Sequence, residues 1–167
     1  MNKTQEYWNI LGNINDWIKY SDTKATILLT LYGVIITIVY SNSSDVLDGL
    51  NSSNWTMFFS IISIVFTIIS IIFSFLCINP KLNNENPTSI IYFGHIQKKF
   101  DNPSDYLVHS KNILSNEENY ITELTEQIHS NSKIAWSKFS NITIGIRFFV
   151  ASLGSLILSI LFYLTTI

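Results

Sequence analysis

A small anionic ligand carrying an aromatic base asks three things of a protein. It needs a cation or helix N-terminus against its charge, an aromatic face for its ring, and amides or hydroxyls for its edge. Between positions 89 and 138 the chain supplies each of them: Ser89, Tyr92, Phe93, Gln127, Asn131, Ser132, Lys133 and Lys138. The same types are ordinary in a polar helical domain, with Tyr92 and Phe93 as core, Lys133 and Lys138 as solvated or snorkelling charges, and Gln127 as a surface amide. Covalent chemistry is poorly provided for. The three histidines, His95, His109 and His129, show no His-x-x-x-His spacing, and the single cysteine, Cys77, lies inside an apolar run. Neither a metal site nor an internal disulfide is expected from that inventory. Gly94 stands alone rather than in a phosphate-cradling loop, and Glu123 and Glu126 read as one solvated helix face. The expectation is a protein that is not an enzyme and holds no cofactor.

The hydropathy pattern defines the elements that must position those side chains. Residues 55–78, WTMFFSIISIVFTIISIIFSFLCI, hold 24 positions without a charge. At ~1.5 Å rise per residue they make roughly 36 Å of helix, enough for a bilayer core of about 30 Å. Residues 25–41 and 147–167 form two further apolar runs; Tyr32, Tyr40 and flanking Ser and Thr extend the first, and Arg147 opens the last. No Asp, Glu, Lys, Arg or His lies deep in any of them, which argues against a proton relay, an ion-coupled transporter or an intramembrane protease. A content of 47 % hydrophobic and 13 % charged residues over 167 positions is that of a membrane protein. A net charge of −2 offers no basic surface for a nucleic-acid polymer.

Residues 1–24 place Tyr7, Ile10, Leu11, Ile14, Trp17 and Ile18 at helical spacing. Nothing after Trp17 demands a break, so this amphipathic helix is expected to enter the first span as one rod, weakened only at Gly12. The loop at 42–54 carries Asp45 and Asp48 and none of the ten basic residues, which all lie before the first span or between the second and third. The positive-inside rule then puts the N-terminus and residues 79–146 in the cytoplasm and the loop and C-terminus outside. Pro80 stops the second span and a polar loop follows at 81–87. Ile90, Ile91, Tyr92, Phe93 and Ile96 are too clustered for a solvated linker and must pack. Pro103 suits the first turn of a short helix through Leu114. Asn116, with Glu117 and Glu118 behind it, suits the cap of a long helix. The apolar stripe of that helix, Ile121, Leu124, Ile128, Ala135, Phe139, Ile142 and Ile146, leads directly into the third span. The expected fold is an all-α membrane protein with three transmembrane helices and a small cytosolic helical region inserted between the second and third.

Each span also carries a hydroxyl stripe. Ser60, Ser63, Thr67, Ser70 and Ser74 share one face of the second span; Thr23, Thr26, Thr30, Gly33 and Thr37 one face of the first; Ser152, Ser155 and Ser159 one face of the third. Two readings stand side by side. Small hydroxylated faces let membrane helices approach and exchange hydrogen bonds, and the same faces could line a water-filled pathway built by several chains.

Three blocks carry a resemblance to a known family: Asp22-Thr-Lys24-Ala25; Asn86-Pro87-Thr-Ser89-Ile-Ile-Tyr92-Phe93-Gly94-His95-Ile96; and Leu124-Thr-Glu-Gln127-Ile128 through Ser132, Ile134 and Lys138-Phe139. They resemble the transmembrane effectors of Pycsar antiphage systems, over nearly the whole chain, the Tyr-Phe-Gly block being the most specific element. The resemblance implies an effector that senses cyclic UMP or cyclic CMP made by a partner pyrimidine cyclase. It then impairs the bacterial inner membrane, so that infection is abortive. Carried over by position, Lys24, Ser89, Tyr92, Phe93, Gly94, Gln127 and Lys138 are the ligand-site candidates. A pocket in so small a helical region would be completed between subunits of a homo-oligomer. The alternative is a non-sensing membrane anchor whose cytosolic helices dock a protein partner.

Overall fold

The computed structural model describes residues 3–51, 53–79 and 89–165. Among them the chain forms six helices and no strand: α1 (Lys3–Ser41), α2 (Ser43–Leu50), α3 (Asn54–Ile78), α4 (Phe93–Lys99), α5 (Pro103–Leu114) and α6 (Glu117–Leu164). Helices α1, α3 and α6 are each long and apolar enough to cross a bilayer. The stop at Pro80 and the loop 81–87, with Asn86 and Pro87 of the family block, lie outside the described residues.

Two rods expected from periodicity are single helices. α1 passes Gly12 unbroken, and α6 runs 48 residues from a cap in which Asn116 Oδ1 accepts the N–H groups of Glu118 at 3.0 Å and Asn119 at 3.5 Å. Pro103 occupies the first turn of α5. The segment between the first two spans differs from a plain loop because it holds α2, with Asp45 in the first turn where the helix dipole favours an anion. The Tyr-Phe-Gly block likewise turns into α4 at Phe93.

The chain divides into two compact units to which α1 and α6 both contribute. The membrane unit comprises Ser21–Asn79 and Lys138–Ile167. In it, α3 and α6 lie antiparallel along a seam that repeats every seven residues on both helices. Thr56, Ser63, Ser70 and Cys77 of α3 face Ser159, Ser152, Gly145 and Lys138 of α6 in turn. Ser159 Oγ donates to Thr56 O at 3.1 Å, and Ser63 and Ser152 donate to each other's carbonyls at 3.0 and 3.1 Å. Ser70 Oγ donates to Gly145 O at 2.7 Å, and Lys138 Nζ to Cys77 O at 2.8 Å. Between these rungs Ser60 and Thr67 reach the hydroxyls of Ser159 and Ser152 at 2.8 and 2.7 Å. A seven-residue period is the one that keeps a seam facing its partner along a helix, and each repeat is about 10.5 Å. Small residues at the rungs bring the backbones close enough for side chains to bond carbonyls directly.

Helix α1 completes the unit through a different face. Ala25, Leu28 and Tyr32 are buried with Cys77 and Ile142, and the Tyr32 ring meets Phe149 edge-on at 5.4 Å. The α1 hydroxyl stripe is therefore turned outward: Thr26, Thr30 and Thr37 are exposed, each bonding its own helix at the carbonyl four residues back. Ser74 and Ser155 do the same within α3 and α6. At the far end of the seam Trp55 and Phe59 stack on Phe162 at 6.0 and 5.4 Å.

The polar unit, Met1–Tyr20 and Pro80–Ser137, sets α1 and α6 parallel. Thr4 donates to Glu117 at 3.1 Å, Trp8 Nε1 to Tyr120 at 3.0 Å, and Asn131 Nδ2 to Asn15 Oδ1 at 2.8 Å. Leu11 and Leu124 are buried in this unit, so the apolar faces of both helices are used.

Candidate ligand site

The family block Ser89–Ile96 is held at nearly every backbone donor of its opening. Ser89 N–H donates to His95 Nδ1 at 3.0 Å, Ile90 N–H to Glu123 Oε2 at 3.0 Å, and Ile91 N–H to Ser89 Oγ at 3.1 Å. Tyr106 Oη donates to Ile90 O at 2.9 Å. Ser89 and Ile90, both non-helical, thus take their hydrogen bonds from side chains of α4, α5 and α6, Ile91 takes its own from the Ser89 hydroxyl, and Ile90 is buried. Glu123, a surface carboxylate on sequence grounds, is one of the clamps.

Beyond the clamp the chain presents an aromatic surface. The Tyr92 ring lies 4.8 Å from Phe93 and 5.0 Å, edge-on, from the His95 imidazole. Phe93 does not pack as its clustering suggested; it is 69 % exposed. Gly94 explains how Tyr92 folds back, since a Cβ there would stand 2.8 Å from Tyr92 Cε1. Gln127 is buried on α6 in the same unit and donates to Asn131 Oδ1 at 2.8 Å.

Lys24 and Lys138 belong to the membrane unit. Lys24 Nζ lies 5.5 Å over the Phe139 ring. Lys138 is only 5 % exposed; its ammonium meets Asp22 Oδ1 at 2.5 Å as well as Cys77 O. Asn141 Nδ2 reaches Leu76 O at 3.4 Å, so α6 side chains take up two of the carbonyls that the end of α3 leaves unpaired. The structure therefore groups Ser89, Tyr92, Phe93, Gly94 and Gln127 in one unit and the two lysines in the other. Glu126 and His129 stand three apart on α6, but among the described residues no third side chain joins them as a metal-holding group.

His95 is the residue the sequence reading passed over. Burial, and next the positive charge of Lys98, hold its pKa below 6.5, with Glu123 opposing and Lys99 adding to the fall. Nδ1 accepts the Ser89 N–H, so the imidazole is neutral and carries its proton on Nε2. Because folding lowers this pKa, the unfolded chain binds the extra proton first. The clamp's contribution is complete above pH 6.5 and is lost as pH falls below that value and through the folded one. Amide exchange at Ser89 is expected to accelerate across that interval relative to Leu124; exchange that stays parallel at the two positions would refute the coupling.

A polar helical unit with a clamped aromatic motif, joined to three helices long and apolar enough to cross a bilayer, is the architecture of a helical membrane protein. The family model of the Pycsar effector protein domain matches residues 6–165, and the chain belongs to that family, whose members are antiphage defence effectors. Among curated proteins it is similar to the Pycsar effector protein PtPycTM of Propioniciclava tarda, 21 % identical over 140 residues that cover 81 % of this chain and 68 % of that protein. No solved structure matches.

Proposed function

We propose that this effector senses a cyclic pyrimidine mononucleotide, cyclic UMP or cyclic CMP, supplied by a partner cyclase, and responds by impairing the bacterial inner membrane as a homo-oligomer. The observation that carries the reading is the Ser89–His95 block of a family effector, held open as an aromatic surface on a unit that shares α1 and α6 with the membrane spans. Phe93, exposed, offers a face for the base; Tyr92, Ser89 and Gln127 offer edge contacts; Gly94 lets the Tyr92 ring fold back over it. Lys24 and Lys138 stand in the membrane unit, Lys24 over the Phe139 ring and Lys138 tied to Asp22 and to the end of α3. The distribution of basic residues supports an orientation with the N-terminus and residues 79–146 in the cytoplasm, where such a signal is made, and the C-terminus outside. The exposed threonine face of α1 is the surface that a neighbouring copy or water meets.

Cells expressing the chain are expected to lose membrane potential, followed with a potential-sensitive dye, when cyclic UMP or cyclic CMP is produced in them. Unchanged potential and growth at saturating nucleotide would overturn the proposal. Calorimetry on the purified protein adds a direct criterion, since a protein that only anchors a partner binds no nucleotide.

A further inference from the structure

His95 has one ring nitrogen accounted for and one that is not. The residue is only 7 % exposed, and its Nε2, itself buried, has no hydrogen-bond partner among the described residues. The Ser89 N–H on Nδ1 fixes the tautomer, so the orphan atom is an N–H donor rather than an acceptor. A buried donor without an acceptor costs about 1–3 kcal/mol, which makes it a poor choice for a structural role alone. Its setting supplies the reason to keep it. The Tyr92 ring abuts the imidazole, folds over Gly94, which has no Cβ to hinder it, and is in contact with an exposed phenylalanine. Among the described residues no hydrogen bond holds the Tyr92 hydroxyl, and ring contacts of this kind are ones that another flat ring can replace.

We propose that the Nε2–H of His95 donates a hydrogen bond to an acceptor oxygen of the bound cyclic nucleotide, reached when the Tyr92 ring swings off the imidazole and Gly94. The inference rests on the sensing function proposed above and names the donor at that site. Both cyclic UMP and cyclic CMP carry acceptors of the required kind, the ring carbonyl beside the glycosidic bond and the phosphate oxygens. The neutral donor fits either. Ser89 N–H has a second part in this arrangement, because it keeps the proton on the nitrogen that the ligand needs.

Two substitutions separate the ring's two nitrogens. His95→Asn keeps an acceptor, its Oδ1, where Nδ1 receives the Ser89 N–H, and removes the distal donor. His95→Gln reaches the Nε2 position with an amide N–H and gives up the proximal acceptor. With the full chain in lipid nanodiscs, His95→Asn is expected to weaken binding of cyclic UMP or cyclic CMP by about tenfold or more while its thermal midpoint stays near that of the parent. His95→Gln is expected to lose stability and to retain more of the affinity. In the unsubstituted protein the Nε2–H proton resonance should move on addition of the nucleotide. Binding by His95→Asn within about twofold of the parent, or an Nε2–H resonance that nucleotide leaves in place, would overturn the inference and leave the sensing function standing. An unsubstituted protein that binds neither nucleotide would overturn both.

Discussion

Asp22→Asn is expected to lower the unfolding free energy by about 3–5 kcal/mol, the largest effect of any single polar substitution in the membrane unit. The change leaves the Lys138 ammonium, with 6 % of its side chain exposed, facing only neutral oxygens, the Cys77 carbonyl and the new amide, and no anion. Lys138→Met should cost less, at or below the low end of that range, about 3 kcal/mol, because the Asp22 carboxylate it strands keeps 39 % exposure and is hydrated. The double variant is expected to be more stable than Asp22→Asn alone, since an apolar side chain then replaces an unpaired buried charge. Unfolding titrations in mixed detergent micelles measure all three. Asp22→Asn within ~1 kcal/mol of the parent would show that water, not the carboxylate, solvates the ammonium.

The reason for so large an effect lies in the register of the α3–α6 seam. Lys138 falls seven residues before Gly145, and Cys77 seven after Ser70, so the ion pair is the last rung of the hydroxyl ladder. It closes the seam where α3 ends and adds α1 through Asp22. One residue joins three helices at the mouth of the bundle.

The second large effect is expected at Gly145. A Cβ there would stand 3.3 Å from Ser74 Oγ, which can rotate away, and 3.5 Å from Ser70 O, which cannot. Gly145→Ala should therefore be nearly neutral. Gly145→Leu forces the backbones apart, removes the Ser70 bond to Gly145 O and strains the rungs on either side, at a cost of about 2–4 kcal/mol. Ser70→Ala loses one hydroxyl contact without separating the helices and is expected to cost only about 0.6–1.7 kcal/mol. If Gly145→Leu proved no worse than Ser70→Ala in the same titration, close approach at that rung would not be what the glycine provides.

Much of the membrane architecture was legible in the residue order. The charge-free runs, the amphipathic stripe from Tyr7 to Ile18, the cap at Asn116 and the proline at 103 are local signals, and each helix they mark is present. The family was legible through the Tyr-Phe-Gly block. The small helix α2 was missed because eight residues, only Val46, Leu47 and Leu50 of them apolar, span too few turns to show a period.

The destination of each hydroxyl face could be decided only in three dimensions. Period gives the angle between residues on one helix, not the angle between that helix and its neighbours. A threonine on α1 satisfies itself on its own carbonyl four residues back and asks for no partner, whereas serines on α3 and α6 reach across because glycine and serine opposite them permit it. The same limit hid His95. Its spacing from the other histidines excludes a simple metal motif, but the Ser89 N–H that fixes its tautomer and the burial that isolates its second nitrogen arise only when the block folds back against α4, α5 and α6. The sequence by itself determined a three-span helical effector with an aromatic motif. Tertiary packing decided which polar groups were consumed in holding it together, and left the second nitrogen of His95 with a proton to give.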